Sequence, residues 1–545
     1  MIKITNRHLI GSSLIICQLS FTASLVSCSD WDDHYEEAAS QAGAESTLWQ
    51  TMQQHPELSD FREVLSKTMV MRQHHKTGVS YAQLLDGAQT FTVMAPVNGT
   101  FNKDSLLQLL QTDRGDSMVV RSFVGNHLSY GLANNTATPT EFFLLNSKRA
   151  TIGQGQVLGV PVQPGGGNVS ARGGVLHIMQ RTLPYRHNLY EILLNDDRYQ
   201  QVGQLISSYA FDEFSPTLSV EGGMVEGQQV YVDSVFVERN RLLEAAGAIA
   251  AEDSSFIMAV PTAAEWPSVY NEALSYFRFD DTVEGCDSLQ RFYALEGLLS
   301  HAIFSRTIQQ SAEDSLKTYR YYNKYPQYEV YHRPFDQGGI LYGAEKTDYS
   351  NGTLYTTPQW PFDVLKTFHK EIKAEGERTG LITDFSAATF TTRRNTVDTL
   401  SVSENEYLVI TPEKNTSNWT MTFRLANTLS GAYDICAIVL PPTTYDPSVR
   451  VRPCKFQAEV NYVDTLGKTK TYNCENTKFS NDPERVDTVV LAENFVFPAC
   501  NLYQNNIKVT LKLKCNITAR ETSQYSREMF LDCIYLRPKK TPTTE

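Results

Sequence analysis

An internal repeat constrains this chain more than any other feature of its sequence. Four pairs of segments match in the same order along the chain, while the offset between partners changes from pair to pair. Copies that carry different loop insertions show this behaviour, so the sequence predicts a tandem duplication. The pairs are residues 48–65 with 189–206, FTVMAPVNGTF (91–101) with FIMAVPTAAEW (256–266), GNHLSYG (125–131) with LLSHAIF (298–304), and GGVLHIMQRTLP (173–184) with NGTLYTTPQWP (351–361).

Each copy has the same predicted layout of helices and strands. The first copy opens with apolar residues at three- and four-residue spacing in TLWQTMQQHPELSDFREVL (47–65), which predicts one amphipathic helix. A short apolar strand then ends in a proline turn, and a helix begins near Asp104. A second helix carries His127, and a strand closes the copy at GVLHIMQRTL (174–183). Mixed helices and short strands of this kind predict an α+β domain for each copy.

The first copy resembles the fasciclin-type (FAS1) domain. The resemblance rests on three segments: APVNGTF (95–101) after a strand, HLSYG (127–131), and GGVLHIMQRTLP (173–184). It implies two tandem fasciclin-like domains, at residues 44–186 and 187–363. The second copy departs from the family pattern, because AVPTAAEW (259–266) replaces the first segment and Tyr355 stands where the family has a histidine. It also contains a long insertion, SPTLSVEGGMVEGQQVYVDSV.

The C-terminal part of the chain has a different residue pattern. After a charged segment at 364–380, which we predict to be a linker helix, short β-branched and aromatic runs alternate with turn residues from Leu381 onward. This pattern predicts an antiparallel β-sandwich at 381–545. The closing segment FLDCIYLRP (530–538) resembles the last strand of galactose-binding-like jelly rolls, an architecture shared by many carbohydrate-binding modules.

The N-terminus has the features of an export signal. Lys3 and Arg7 precede a short apolar stretch that is interrupted by serines, and LVSC (25–28) resembles a bacterial lipobox. The resemblance implies that residues 1–27 are a cleaved signal peptide, that Cys28 is acylated, and that residues 28–43 are an acidic tether. Four residues of the tether resemble the tag that directs lipoproteins to the outer face of the outer membrane: Ser29, Asp30, Asp32 and Asp33.

Composition and charge exclude several classes of protein. A hydrophobic fraction of 41% and a charged fraction of 20% are typical of folded domains rather than disordered chains. The net charge is −13, and it becomes −15 (46 basic minus 61 acidic residues) without residues 1–27, so nucleic-acid binding is not expected. The sequence contains no Walker loop, GxSxG elbow or HExxH motif, and we predict neither an enzyme nor a cofactor.

The histidines and cysteines give no motif for a metal site. No second ligand stands at a suitable spacing from His127, so we interpret it, and His177 in its apolar strand, as structural. Cys436 and Cys533 lie in apolar strands, where a free thiol packs as a small apolar group. We expect at most two disulfides among the six cysteines of the third domain: Cys436, Cys454, Cys474, Cys500, Cys515 and Cys533.

Two aromatic features are candidates for contact with a ligand or partner. The first is the segment TYRYYNKYPQYEVYHRPF, where an interface and packing within the domain are equally consistent with the sequence. Its principal candidates are Tyr319, Tyr321, Tyr322 and Tyr325. The second is Trp419 at the start of a predicted strand, which could stack on a sugar ring but more often would pack in a sandwich core.

These features together lead to three hypotheses about function. The first is a non-catalytic surface lipoprotein that works beside a TonB-dependent transporter and its lipoprotein lid of the starch-utilisation type, with a C-terminal domain that binds glycan. The second is an adhesin whose fasciclin-like domains bind matrix, host protein or neighbouring cells. A surface glycosidase is the third and least favoured hypothesis.

Overall fold

A computed structural model describes residues 45–540, except for eight short gaps at 73–74, 218, 226–227, 234–235, 306–314, 319–328, 475–477 and 504–506. The chain divides into two compact units. Unit 1 extends to Leu183 without residues 73–75 and 147–149, which belong to unit 2 together with everything from Pro184 onward. Among the residues described, none of the helices combines the length and the hydropathy that crossing a bilayer requires.

Unit 1 is built on a four-stranded sheet. Its strands are β1 (Phe91–Pro96), β2 (Leu128–Tyr130), β3 (Val169–Ala171) and β4 (Gly174–Met179). The order is β2-β1-β4-β3, with β1 and β4 parallel and the outer pairs antiparallel. Phe91 lies opposite Gly174, and a Cβ at Gly174 would lie 1.9 Å from the Phe91 carbonyl oxygen, so only glycine fits this parallel pairing.

The helices of unit 1 pack around a core that contains the apolar residues of β1 and β4. The predicted opening helix is wrong in one respect, because it breaks at Pro56. Proline disfavours helical backbone in the preceding residue, and His55 is extended, with φ −110° and ψ 95°. The α-helices are Leu48–Gln53, Ser59–Lys67, Tyr81–Leu85, Lys103–Leu109, Asp113–Val119 and Gly125–His127, with 3-10 turns at Pro56–Leu58 and a π-turn at Val120–Val124.

Further strands lie outside the main sheet of unit 1. A two-stranded sheet and a second four-stranded sheet contain them. Their bounds are Met69–Arg72, His75–Ser80, Thr140–Phe143, Arg149–Gly153, Gln156–Val157 and Val160–Pro161.

Unit 2 contains a second sheet with the same topology. Its strands are β5 (Phe256–Pro261), β6 (Ile303–Ser305), β7 (Glu345–Tyr349) and β8 (Gly352–Thr357). The order is β6-β5-β8-β7, again with a parallel central pair and antiparallel outer pairs. Phe256 lies opposite Gly352, as Phe91 lies opposite Gly174. The segments that align in the sequence therefore occupy equivalent positions in two sheets.

The helices and hairpins around this second sheet complete the first half of unit 2. The predicted insertion contains one hairpin, Val220–Val225 with Gln228–Asp233, and the two strands that flank it, Ala210–Phe214 and Phe236–Asn240, pair with each other. A further pair of strands is Ser315–Lys317 and Val330–His332. The helices are Leu189–Asn195, Gln200–Ser207, Arg241–Ala246, Trp266–Tyr276 and Cys286–Ala302.

The second half of unit 2 is an antiparallel β-sandwich, as predicted. Its strands are β9 (Ile372–Glu375), β10 (Ile382–Ser386), β11 (Ala388–Arg394), β12 (Glu406–Pro412), β13 (Thr420–Arg424), β14 (Ala432–Val439), β15 (Lys455–Val463), β16 (Thr469–Asn473), β17 (Phe479–Ser480), β18 (Asp487–Val496), β19 (Thr510–Cys515) and β20 (Met529–Lys539).

These strands form two sheets of six. One sheet has the order β11-β12-β20-β14-β18, with β9 paired to β20, and the other has the order β10-β13-β19-β15-β16, with β17 paired to β15. Apolar side chains from both sheets meet in one buried cluster, which includes Leu408, Phe423, Phe456 and Leu531. Two inward faces that bury each other in this way account for the stability of the sandwich.

The predicted linker helix at 364–380 is wrong. Turns occupy 364–369, β9 follows, and a 3-10 turn spans Thr379–Leu381. Ile372 and Ala374 pack on the sandwich core, whereas the intervening Lys373 is exposed. This alternation has the two-residue period of a strand, and pairing with β20 provides the backbone hydrogen bonds that a helix would otherwise make. The sandwich therefore begins at Ile372 rather than Leu381.

Candidate functional site

An open groove of about 730 Å³ lies in unit 2. Three parts of the chain line it: the segment that begins with strand Val330–His332, the turn before β9, and the end of β20. A volume of this size is within the range of small-molecule binding sites. The polar and aromatic lining residues are Glu329, Tyr331, His332, Lys366, Lys370, Glu371, Tyr535 and Arg537.

A buried histidine positions the turn that carries two lysines of the groove. His369 Nε2 lies 3.1 Å from the carbonyl oxygen of Ala432 and 3.2 Å from that of Lys539, at the ends of two sandwich strands. The ring also packs against Tyr276 and Tyr433, with centroid distances of 4.7 and 4.6 Å. Burial lowers the pKa of His369, so the imidazole is neutral and donates from Nε2. Lys366 and Lys370 flank this anchor and are exposed.

Tyr331 forms a second wall of the groove. Its ring packs edge-on against Phe304 and Phe362, with centroid distances of 5.9 and 5.5 Å. Burial raises the pKa of Tyr331, and its hydroxyl oxygen is buried without a hydrogen-bond partner in the part of the chain that the structure describes. The hydroxyl is shielded from solvent, so Tyr331 lines the groove with its other atoms.

The end of β20 provides the third wall. Leu536 belongs to the sandwich core, so Tyr535 and Arg537 on either side of it face outward. The Tyr535 hydroxyl donates to Glu371 Oε2 at 2.9 Å, and the guanidinium of Arg537 lies 5.8 Å from the centre of the Tyr535 ring. Burial and this bond to Glu371 raise the pKa of Tyr535, which therefore stays a neutral hydroxyl.

The groove is locally cationic in an acidic chain. Lys366, Lys370 and Arg537 line it with two carboxylates, Glu329 and Glu371, whereas the whole chain has a net charge of −13. Two of these three cations have acidic partners, since Lys370 Nζ contacts Glu329 Oε1 and Arg537 Nη1 lies 3.9 Å from Asp434 Oδ2. An exposed pair such as that of Lys370 contributes little to stability. The groove therefore offers aromatic surface and positive charge together.

The structure corrects the assignment of Trp419 as a ligand candidate. Its side chain is fully buried in the sandwich core, and Nε1 donates to the carbonyl oxygen of Arg527 at 2.6 Å. A ring enclosed on both faces cannot stack on a sugar. Trp419 is therefore a core residue, which was the alternative that the sequence favoured.

The remaining candidates from the sequence lie outside the described residues. These are Cys28, Ser29, Asp30, Asp32, Asp33, Tyr319, Tyr321, Tyr322 and Tyr325. The described end of the tyrosine-rich segment, at Tyr331 and His332, does line the groove.

Sequence reasoning did not identify Lys366, Lys370, Tyr535 or Arg537. The last two could have been found, because they alternate with core residues in a segment that was recognised as a strand. The lysines could not, since their segment was predicted to be a helix.

The histidines of unit 1 have structural roles, as interpreted from the sequence. His127 Nδ1 bonds to the carbonyl oxygen of Phe123 at 2.8 Å, and Nε2 accepts from the amide of Leu183 at 2.9 Å. His177 Nε2 donates to the carbonyl oxygen of Ala133 at 2.9 Å, while Nδ1 accepts from the amide of Asn168 at 3.2 Å. Both rings are buried and both ring nitrogens of each are occupied.

The seven described cysteines are free thiols, so the structure has no disulfide among them. Two of them interact, because the thiols of Cys454 and Cys515 hydrogen-bond to each other in the sandwich core.

No protein family and no curated protein matches this chain in sequence. Among solved structures, the chain is similar to the CBM22-1-GH10 modules of an endo-1,4-β-D-xylanase of Clostridium thermocellum, complexed with xylohexaose, with 9% identity and a TM-score of 0.21. That match covers 31% of this chain and 28% of the xylanase chain.

Two isolated domains are similar to this chain to the same extent. One is a xylan-binding domain of CBM family 22, with 9% identity, a TM-score of 0.20, and coverage of 31% of this chain and 94% of that domain. The other is the CBM22-1 xylan-binding domain of Paenibacillus barcinonensis, with 13% identity, a TM-score of 0.20, and coverage of 32% and 95%. Similarity at this TM-score does not bear on what this chain binds.

Proposed function

We propose that this protein is a non-catalytic glycan-binding protein whose groove in unit 2 takes an oligosaccharide that carries carboxylate groups. The observation that carries the proposal is the combination of aromatic rings and cations in one open groove, at Tyr331, Tyr535, Lys366 and Arg537. Aromatic faces pack on the apolar side of a sugar ring, while a few polar groups fix its orientation. Arginine pairs with a carboxylate through two parallel hydrogen bonds, and lysine adds a point charge.

The state of the groove carboxylates supports a binding role over glycoside hydrolysis. Hydrolysis needs one carboxyl group that gives a proton to the leaving oxygen and a second that acts as base or nucleophile. Glu329 Oε1 pairs with Lys370 Nζ. Glu371 Oε2 accepts a hydrogen bond from the Tyr535 hydroxyl at 2.9 Å. Both carboxylates are therefore engaged by other groove side chains rather than free to serve as an acid and a base.

Binding of the purified protein, residues 29–545, to a panel of neutral and acidic oligosaccharides tests this proposal. Tyr535→Ala should weaken binding to every glycan that the wild type retains, because it removes the aromatic wall without touching the sandwich core. Tyr130→Ala is the matched control, since Tyr130 is an exposed tyrosine of unit 1 with 57% of its surface accessible. Equal losses in the two variants, or no glycan binding by the wild type, would contradict the proposal.

We further propose that the two four-stranded sheets belong to fasciclin-like domains that act as spacer and protein interface. The support is the order of the three sequence segments and the identical strand order and pairing of the two sheets. The adhesin hypothesis uses the same domains. Cell-binding assays with the purified protein distinguish the two, because only an adhesin binds matrix or cells when no transporter is present.

The proposal includes an outer-membrane anchor at Cys28, with the protein facing the cell exterior beside a TonB-dependent transporter and its lipoprotein lid. Its support is the sequence LVSC followed by the acidic tether. Two or more acyl chains hold a protein stably on a membrane, whereas one chain binds only marginally. Cys28→Ala should release the protein from the membrane fraction. Retention of this variant, or native lipoprotein that co-purifies with no transporter, would contradict the respective part of the proposal.

A further inference from the structure

A β-bulge in β20 turns two adjacent side chains to the same face of the sheet. Ile438 lies opposite Cys533, but the next residue of β14, Val439, lies opposite Leu531, so Asp532 has no partner in the register. Leu531 and Ile534 both belong to the sandwich core although they are three residues apart. Asp532 and Cys533 between them therefore both point to the outer face, which regular alternation would forbid.

Glu375 completes a buried cluster with these two residues. It lies opposite Cys533 in the pairing of β9 with β20, and its neighbour Ala374 faces the core, so Glu375 also points to the outer face. One potential ligand atom from each residue lies within 4.8 Å of the other two. The exposed fractions are 6% for Glu375, 3% for Asp532 and 0% for Cys533. The cluster is thus almost fully shielded from water.

The hydrogen bonds of the cluster leave one carboxylate oxygen without a partner. The loop over the cluster contributes Ser403, whose amide donates to Asp532 Oδ1 at 3.0 Å and whose hydroxyl donates to Glu375 Oε1 at 2.8 Å. Glu375 Oε2 is buried and accepts no hydrogen bond from the described residues. A buried carboxylate oxygen in this position is costly unless a proton or a cation satisfies it.

We propose that Glu375, Asp532 and Cys533 form a binding site for a divalent metal ion of the zinc type. Thiolate and carboxylate donors together suit Zn²⁺, whereas Ca²⁺ and Mg²⁺ take oxygen ligands only. Three protein ligands leave a fourth position of the tetrahedron, for which the Ser403 hydroxyl or water is suitable. Ligands at about 2.0–2.3 Å from a tetrahedral ion lie less than 4 Å apart, so side-chain shifts of about 1 Å would close the site.

Metal binding at this site releases a proton. Cys533 loses its thiol proton to solvent when the sulfur binds the ion, as metal-bound cysteines do. The thiolate and two carboxylates then carry three negative charges against two on the ion. Two further charged residues act on Cys533 in opposite directions, Lys373 as a cation and Glu377 as a carboxylate, so the site keeps about one negative charge.

Cobalt and zinc binding to residues 29–545 tests the site. Co²⁺ bound to a thiolate gives a sulfur-to-metal charge-transfer absorption, which carboxylate ligands alone do not give. We expect this absorption in the wild type at one ion per chain, displaced by Zn²⁺. It should be lost in Cys533→Ser and at least tenfold weaker in affinity in Glu375→Gln. Cys436→Ser is the matched control, because Cys436 is a buried cysteine of the adjacent strand β14 that lies outside the cluster.

A second measurement needs no variant and therefore holds if the substitutions prevent folding. Calorimetric unfolding of the wild type should shift to higher temperature when Zn²⁺ is added and stay unchanged with Mg²⁺, because an ion that binds only the folded protein stabilises it. Absence of the charge-transfer absorption together with an unchanged melting temperature in Zn²⁺ would overturn the proposal. Cobalt absorption that persists in Cys533→Ser would also overturn it, since another cysteine would then be the ligand.

Discussion

Replacement of Trp419 measures how much of the stability of unit 2 depends on the sandwich core. The side chain is fully buried, and a tryptophan removes about 150–250 Å² of surface from water, which corresponds to about 4–6 kcal/mol at ~25 cal/mol per Å². Alanine retains a small part of that surface, and measured Trp→Ala substitutions in cores cost about 3–5 kcal/mol. The variant also leaves the carbonyl oxygen of Arg527 without its donor.

We therefore expect Trp419→Ala to lower the unfolding free energy of unit 2 by about 4 kcal/mol. Trp419→Phe should cost less, about 1–2 kcal/mol, because it keeps an aromatic ring in the core and loses mainly the hydrogen bond. Phe385→Ala is the control, since Phe385 lies on the same sandwich with 49% of its surface exposed, and it should change stability by less than about 1 kcal/mol.

Urea denaturation followed by circular dichroism, together with calorimetry to separate the units, gives these values. A midpoint for Trp419→Ala that matches the wild type would refute the reasoning. If the Trp419→Ala protein unfolded like the wild type but no longer bound glycan, Trp419 would be a ligand-contacting residue after all.

Two further predictions concern buried ionisable groups. Burial lowers the pKa of His127 from 6.5 to about 4, so the unfolded chain binds the proton more readily than the folded one. Unit 1 should therefore lose roughly 3 kcal/mol of stability as the pH falls from about 6.5 to 4. An NMR titration in which this imidazole protonates near pH 6.5 in the folded protein would contradict this prediction. Lys148 Nζ is buried in unit 2 and lies 3.0 Å from Glu191 Oε2, with Glu252 as a second partner. Lys148→Met should therefore lower the unfolding free energy of unit 2 by about 3–5 kcal/mol in chemical denaturation. An unchanged denaturation midpoint would show that the network contributes nothing.

Local patterns in the sequence predicted the parts of the fold that depend on local chemistry. The apolar strands with their proline turns, and the glycines that allow close parallel pairing, mark both four-stranded sheets. The alternating runs after residue 381 mark the sandwich. The burial of Trp419 could also be predicted from the sequence, because a tryptophan within such an alternating run usually faces the core.

The rest depends on contacts between distant segments. Residues 364–380 are rich in charge and resemble a helix, but pairing with β20, which lies more than 150 residues further along the chain, makes part of them a strand. The groove likewise brings together residues that are far apart in the sequence: Tyr331, Lys366 and Tyr535. The bulge at Asp532 is a register shift between two strands, so no pattern within β20 alone predicts that Asp532 and Cys533 share a face.

Titration calorimetry with a matched pair of ligands tests the central claim most directly. An oligogalacturonate and its methyl ester have the same sugar rings, and esterification replaces each carboxylate charge with a neutral methyl ester. We expect residues 29–545 to bind the charged form more tightly, Lys366→Gln to reduce this preference, and Tyr535→Ala to weaken the binding of both ligands. Equal affinity for the two forms, or a preference that survives Lys366→Gln unchanged, would contradict the claim that a cationic aromatic groove recognises carboxylated glycan.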